Sequence, residues 1–129
     1  MSDSTAQEFD WVTARNGCSA ATVFERLKAM AKANVDTRNG QRPGSAEFKD
    51  GEGTFGVRST HGTTSNAADF SLSAHVITIQ RHEHLRRHDH TFEVTVSLNN
   101  EGVCKCHVDG EELDLWQTLK KVLEPVLFD

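Results

Sequence analysis

The chain has 129 residues, 36% apolar and 26% charged, with a formal net charge of −5. That length suits one domain and should bury roughly two-thirds of the unfolded surface. The composition is too apolar for a disordered chain, lacks the basic excess of a general nucleic-acid binder, and holds no apolar run near the ~20 residues of a bilayer-crossing helix.

The opening residues, MSDSTAQEFD, are polar and acidic where a signal peptide would be basic and then apolar, and residues 1–7 are expected to fray. Three cysteines, Cys18, Cys104 and Cys106, make an odd count that suits free thiols better than a disulfide framework. Both features read as a cytoplasmic protein. A local basic patch at Arg81, Arg86 and Arg87 does not change the expectation of no nucleic-acid and no membrane partner.

Phe9, Trp11 and Thr13 alternate and predict a strand over 9–15. From Ser19 the period changes. Val23, Phe24, Leu27, Met30, Ala31 and Val35 share one helical face, with Ser19 as N-cap and Asn39-Gly40 as stop, so a helix is predicted over 19–36. Residues 47–59 read as a hairpin turning at Asp50–Gly53, with Phe48, Phe55 and Val57 inward. Residues 60–69 read as a polar loop or bulged edge. A long strand is predicted over about 70–83, with a β-bulge near Val76 where its apolar phase slips by one.

A strand follows over 90–98, with Phe92, Val94, Val96 and Leu98 on one face. The turn NNEG leads into a strand over 103–108. Asp109-Gly110 reads as a tight turn into a short strand near Leu113. Asp114 then caps a C-terminal helix through Gln117, and Pro125 should end or kink it near the last turn. The result is a single two-layer α+β domain over 1–129. Its antiparallel sheet of about five to six strands carries two helices on one face, in the order β-α-β-β-β-β-β-α. In architecture this resembles helix-grip folds, in which a curved sheet wraps a C-terminal helix and leaves a pocket between them.

Five of the seven histidines lie between His75 and His90. A metal site on His82, His84, His88 and His90 would need 84 paired with 88. That register turns Ile77 and Ile79 to the polar face of the partner strand. Pairing Ile79 with Phe92 and Ile77 with Val94 keeps four apolar groups together, at about 1.5–3 kcal/mol per large side chain. The same register pairs Arg81 with His90, Glu83 with His88 and His82 with Asp89, so the imidazoles divide between two faces. No metal and no cofactor is therefore expected. Arg81, Glu83, His88 and His90 fall where the apolar face runs out, and are the candidate ligand-binding rim.

The turn at Gly102 sets Leu98 against Cys104 and Val96 against Cys106, which sends both thiols into the core. Lys105 and His107 then fall on the wet face. Cys18, ahead of a helix N-terminus, is a candidate nucleophile that lacks an identifiable base. GEGTFG, residues 51–56, has dinucleotide-loop spacing without a following helix, and no catalytic constellation is recognisable. The function expected is a small binding domain for an apolar or amphipathic ligand held between sheet and helices. The alternatives are a homodimeric or protein-partner module and, behind it, an enzyme using the histidine rim or Cys18.

Overall fold

The computed structural model describes residues 8–59, 66–83 and 88–128, with the side chain of His88 excepted. The fold is α+β. Two helices, α1 (Trp11–Gly17) and α2 (Ala20–Gln41), precede seven strands, and α3 (Leu115–Leu127) closes the chain. The strands are β1 (Ala46–Gly51), β2 (Thr54–Ser59), β3 (Asn66–Ser73), β4 (Val76–Glu83), β5 (His88–Leu98), β6 (Cys104–Val108) and β7 (Glu111–Leu113). They form one antiparallel sheet in chain order, each strand beside the next. Among the described residues, no helix is long and apolar enough to cross a membrane.

Four features of this order differ from the sequence expectation. Residues 11–17 are helix, not strand. Asp10 caps them, accepting from the Thr13 amide (3.1 Å) and hydroxyl (2.7 Å), and these bonds hold its carboxyl below the usual range. The alternating Phe9 and Trp11 are exposed, so they mark no buried strand face. The phase slip near Val76 is a hairpin turn rather than a bulge. Ala74 takes a left-handed φ of 54°, without the Gly or Asn that would announce it. Its reversal pairs Leu72 with Ile77 and Phe70 with Ile79. β3 reaches back to Asn66, inside the segment read as loop, and because the turn divides the expected long strand into β3 and β4 the strands number seven.

Finally, α2 runs past Asn39-Gly40 to Gln41. Asn39 is held by tertiary bonds: its Oδ1 accepts from the amides of Ser45 (3.0 Å) and Ala46 (2.9 Å), and its Nδ2 donates to the Ala46 carbonyl (2.9 Å). The local stop signal loses to these three bonds.

The other turns follow their residues. Asp109 and Gly110 both have positive φ (51° and 82°), as a tight hairpin turn requires. Gly102, at φ 81°, closes the β5–β6 loop and packs under the ring of Phe9. At the start of α3, the Asp114 amide donates to Gln117 Oε1 (2.9 Å), one half of a capping box.

The register across β4 and β5 is Ile79 to Phe92, Ile77 to Val94, Arg81 to His90 and His82 to Asp89. It aligns Phe55, Phe70, Ile79 and Phe92 on neighbouring strands of one face. Phe70 stacks on Phe55 at 4.3 Å, and Phe24 of α2 meets Phe55 at 5.2 Å. Leu27 of α2, with Leu119 and Leu123 of α3, completes the layer. All are almost wholly buried, so the space that a helix-grip pocket would occupy is filled here by aromatic and branched side chains.

Cys18 and Cys104 form a disulfide with Cα atoms 5.4 Å apart, which corrects the free-thiol reading of both and removes Cys18 as a nucleophile. It ties the α1–α2 corner to the start of β6. α1 buries no residue of its own, so this bond and the Phe9–Gly102 contact hold it to the body. Cys106 remains a free thiol, buried as expected. Loss of solvation pushes its pKa up, against the opposing pull of a hydrogen bond to Thr118.

Two stability measurements test this account. Ile79→Ala should cost about 2–5 kcal/mol in urea unfolding, while Gln80→Ala, one residue along on the wet face, should stay within about 0.5 kcal/mol. Equal losses would refute the assigned faces. Replacing Cys18 and Cys104 by serine opens a link spanning 86 residues of sequence. It should cost about 2–5 kcal/mol, and an unchanged unfolding midpoint would show that the bond constrains nothing.

Candidate functional site

Of the four rim residues, Arg81 and His90 are cross-strand partners that both reach the Phe92 ring, and the side chain of His88 lies outside the described residues. Arg81 and Glu83 are together: Arg81 Nε donates to Glu83 Oε2 at 3.1 Å, and Glu83 is only 7% exposed. Arg81 Nη1 donates to the carbonyls of Lys121 (2.9 Å) and Val122 (3.3 Å) in α3. These contacts have a local cause. Pro125 has no N–H, so the carbonyl four residues earlier, that of Lys121, has no helical donor. Arg81 supplies it. That substitution lets α3 continue through Pro125 to Leu127 instead of ending there.

The end of α3 receives two further side chains. Asn66 Nδ2 donates to the Pro125 carbonyl (3.1 Å) and Arg38 Nε to the Leu127 carbonyl (3.0 Å). The guanidinium of Arg81 also sits 5.2 Å from the Phe92 ring. Arg81 is thus directed at a helix end.

His90 stacks on Phe92 at 4.0 Å, with Nε2 3.8 Å from Asp109 Oδ2. His88 pairs with Glu83 through its backbone, and its side chain, like His84 and the rest of 84–87, lies outside the described residues. His82 lies on the other face. Its Nδ1 is 3.0 Å from Asp89 Oδ1 and its Nε2 3.8 Å from Asp69 Oδ2. Among the described residues, no group of three or more His, Cys, Asp or Glu is arranged to hold a metal ion.

On the same wet face, Ser97 Oγ and His107 Nε2 are 2.6 Å apart, a contact that the register did not foretell. Among the described residues no carboxylate holds the other ring nitrogen. The pair stands on the open sheet, without the orienting third group that nucleophilic catalysis uses.

A groove of about 360 Å³ lies elsewhere, between α2 and α3, with no residue of the sheet in its lining. Its apolar wall is Met30 from α2 and Leu119, Leu123 and Leu127 from α3, with Trp116 and Phe128 also lining it. The two helices run in the same direction. Met30 and Trp116 share a second, smaller concavity beside Val103, and Arg38 meets Leu127 near the other end. Asn34, Thr37 and Arg38 bring polar groups from α2, and Lys120 and Glu124 bring an ion pair (3.3 Å) from α3.

The helical pattern carried part of this signal. Met30, Asn34, Thr37, Arg38 and Gln41 recur at spacings of three and four beside the buried stripe of α2. The apolar stripe of α3 is wide enough to serve two surfaces. Sequence reasoning assigned both stripes to the sheet, because nothing local shows that the helices lie side by side.

Comparison with known proteins returns no matching family model, no matching curated protein and no matching solved structure.

The Arg81–Pro125 relation can be measured by a double-mutant cycle. Arg81→Met should cost about 3–5 kcal/mol, since it also removes the guanidinium beside the buried Glu83 carboxylate. In a Pro125→Ala background, where the helix regains its amide, the loss should shrink by about 1 kcal/mol. A coupling of zero would refute donor replacement.

Proposed function

We propose that this chain is a binding domain for a small amphipathic molecule, held in the groove between α2 and α3 rather than between sheet and helices. The observation that carries the reading is the wall of that groove. Partly buried Met30 and exposed Trp116 and Phe128 give it apolar surface over a floor of buried Leu119, Leu123 and Leu127, a few polar groups stand at its margin, and its volume falls within the range of small-molecule sites. Trp116 is 56% exposed and flanks the groove, an arrangement that leaves a large flat ring to cover a ligand.

A second reading, a homodimeric or partner-binding module, is favoured by the exposed aromatics Phe9, Trp11, Trp116 and Phe128. The Cys18–Cys104 disulfide supports an oxidising compartment over the cytoplasmic one expected from the sequence.

The test is a screen of small amphiphiles by amide chemical shifts. Ligands should perturb residues 30–41 and 116–128. Trp116→Ala should weaken binding at least about tenfold while leaving the unfolding midpoint within about 0.5 kcal/mol, because the ring is exposed. Shifts confined to the sheet's wet face would overturn the assignment. A concentration-dependent dimer that buries Trp116 would favour the second reading.

A further inference from the structure

We infer that the groove is built for a single-chain anionic amphiphile, with its acidic head on Arg38 and its chain running toward Trp116. This deepens the groove reading and rests on it.

Arg38 is held in place, and no described carboxylate neutralises it. Its guanidinium lies 4.1 Å from the Phe128 ring centroid, its Nε donates to the Leu127 carbonyl (3.0 Å), and its Nη1 reaches Gln41 Oε1 (3.3 Å). Stacking and two hydrogen bonds fix the plane of the fork. Among the described residues, however, no carboxylate lies within ion-pair distance of it, and no acceptor holds its Nη2. The other cation of the groove, Lys120, is paired with Glu124. The half-buried Arg81 is paired with Glu83. A half-buried, oriented guanidinium beside an apolar wall, with no counter-ion among the described residues, suits a planar carboxylate. Asn34, one turn back, and Thr37, the preceding residue, are exposed and add hydrogen-bonding groups at that end.

Charge and length agree with this occupant. The groove carries two cations, Arg38 and Lys120, against one carboxylate, Glu124, on a chain whose net charge is −5. An acidic head is drawn to this spot and repelled elsewhere. From Met30 to Arg38 the α2 face extends about 12 Å, the reach of an extended chain of roughly ten carbons. Leu119 and Leu123 flank that path, and Trp116 stands at its far end.

The experiment compares decanoate with the uncharged 1-decanol by calorimetry on the full chain with its disulfide intact. Decanoate should bind one-to-one and at least about tenfold more tightly than decanol. Arg38→Gln should bring decanoate down to the level of decanol and leave decanol unchanged, and Arg38→Lys, which keeps the charge but loses the stacked fork, should keep only part of the preference. Equal affinities in the unmodified protein need no variant to interpret. They would overturn the anionic assignment while leaving the groove as an apolar site, as would decanoate binding that Arg38→Gln does not weaken. Binding of neither compound, or binding that Trp116→Ala does not weaken, would overturn the groove reading and this inference with it. So would a dimer that covers the groove and that decanoate does not dissociate.

Discussion

Phe55, Phe70, Ile79 and Phe92 stand side by side on four adjacent strands, and Phe24 descends on them from α2. This row sets the register of the sheet's centre. Because alternate residues point to opposite faces, a slip of one position at any of these strands would place a phenyl or sec-butyl group in water. The remaining features inherit that choice. His82 and His90 go to opposite faces, Arg81 points toward α3, and Cys104 and Cys106 turn toward the helices. The helices lie where they do because only this face offers them an apolar seat.

A filled core has consequences for binding. With Phe70, Phe92, Leu27, Leu119 and Leu123 closing the layer between sheet and helices, the ligand-sized space opens between α2 and α3, with no residue of the sheet in its lining. The shape of that space depends on where α3 ends. Arg81 supplies the donor that Pro125 lacks, while Asn66 and Arg38 take up later carbonyls, so the last turn of α3 is fixed by side chains from β4, β3 and α2. Arg38 thereby serves both as a cap for α3 and as the polar end of the groove. The Cys18–Cys104 bond secures the opposite corner, where α1 has little burial of its own.

The inner face of the sheet was legible from alternation in Phe92, Val94 and Val96 and from the matched phase of Ile77 and Ile79. The pairings of Asn99 with Val103 and of Cys106 with Val96 followed from the glycine turn. The capping pair Asp114 and Gln117 was equally plain. Three of the four misread features have a plain physical reason. Alternation in Phe9, Trp11 and Thr13 looked like a strand, but with no neighbour to pair with, a capped helical turn satisfies more backbone groups. Ala74 makes its turn without a turn residue, so a hairpin resembled a bulge. Asn39-Gly40 looked like a stop, and bonds to residues beyond the helix overrode it.

Sequence alone determined the α+β class, the burial side of most strands, the separation of His82 from His90 and the capped start of α3. These depend on side-chain periodicity and on contacts a few residues apart, which the order of residues specifies directly. Tertiary structure alone decided that Cys18 meets Cys104 across 86 positions, that Arg81 completes a helix interrupted by proline, and that α2 and α3 flank a groove with Arg38 at one end. Those relations join distant segments, and which of them meet is settled only when every apolar stripe has found the one arrangement that buries them all together.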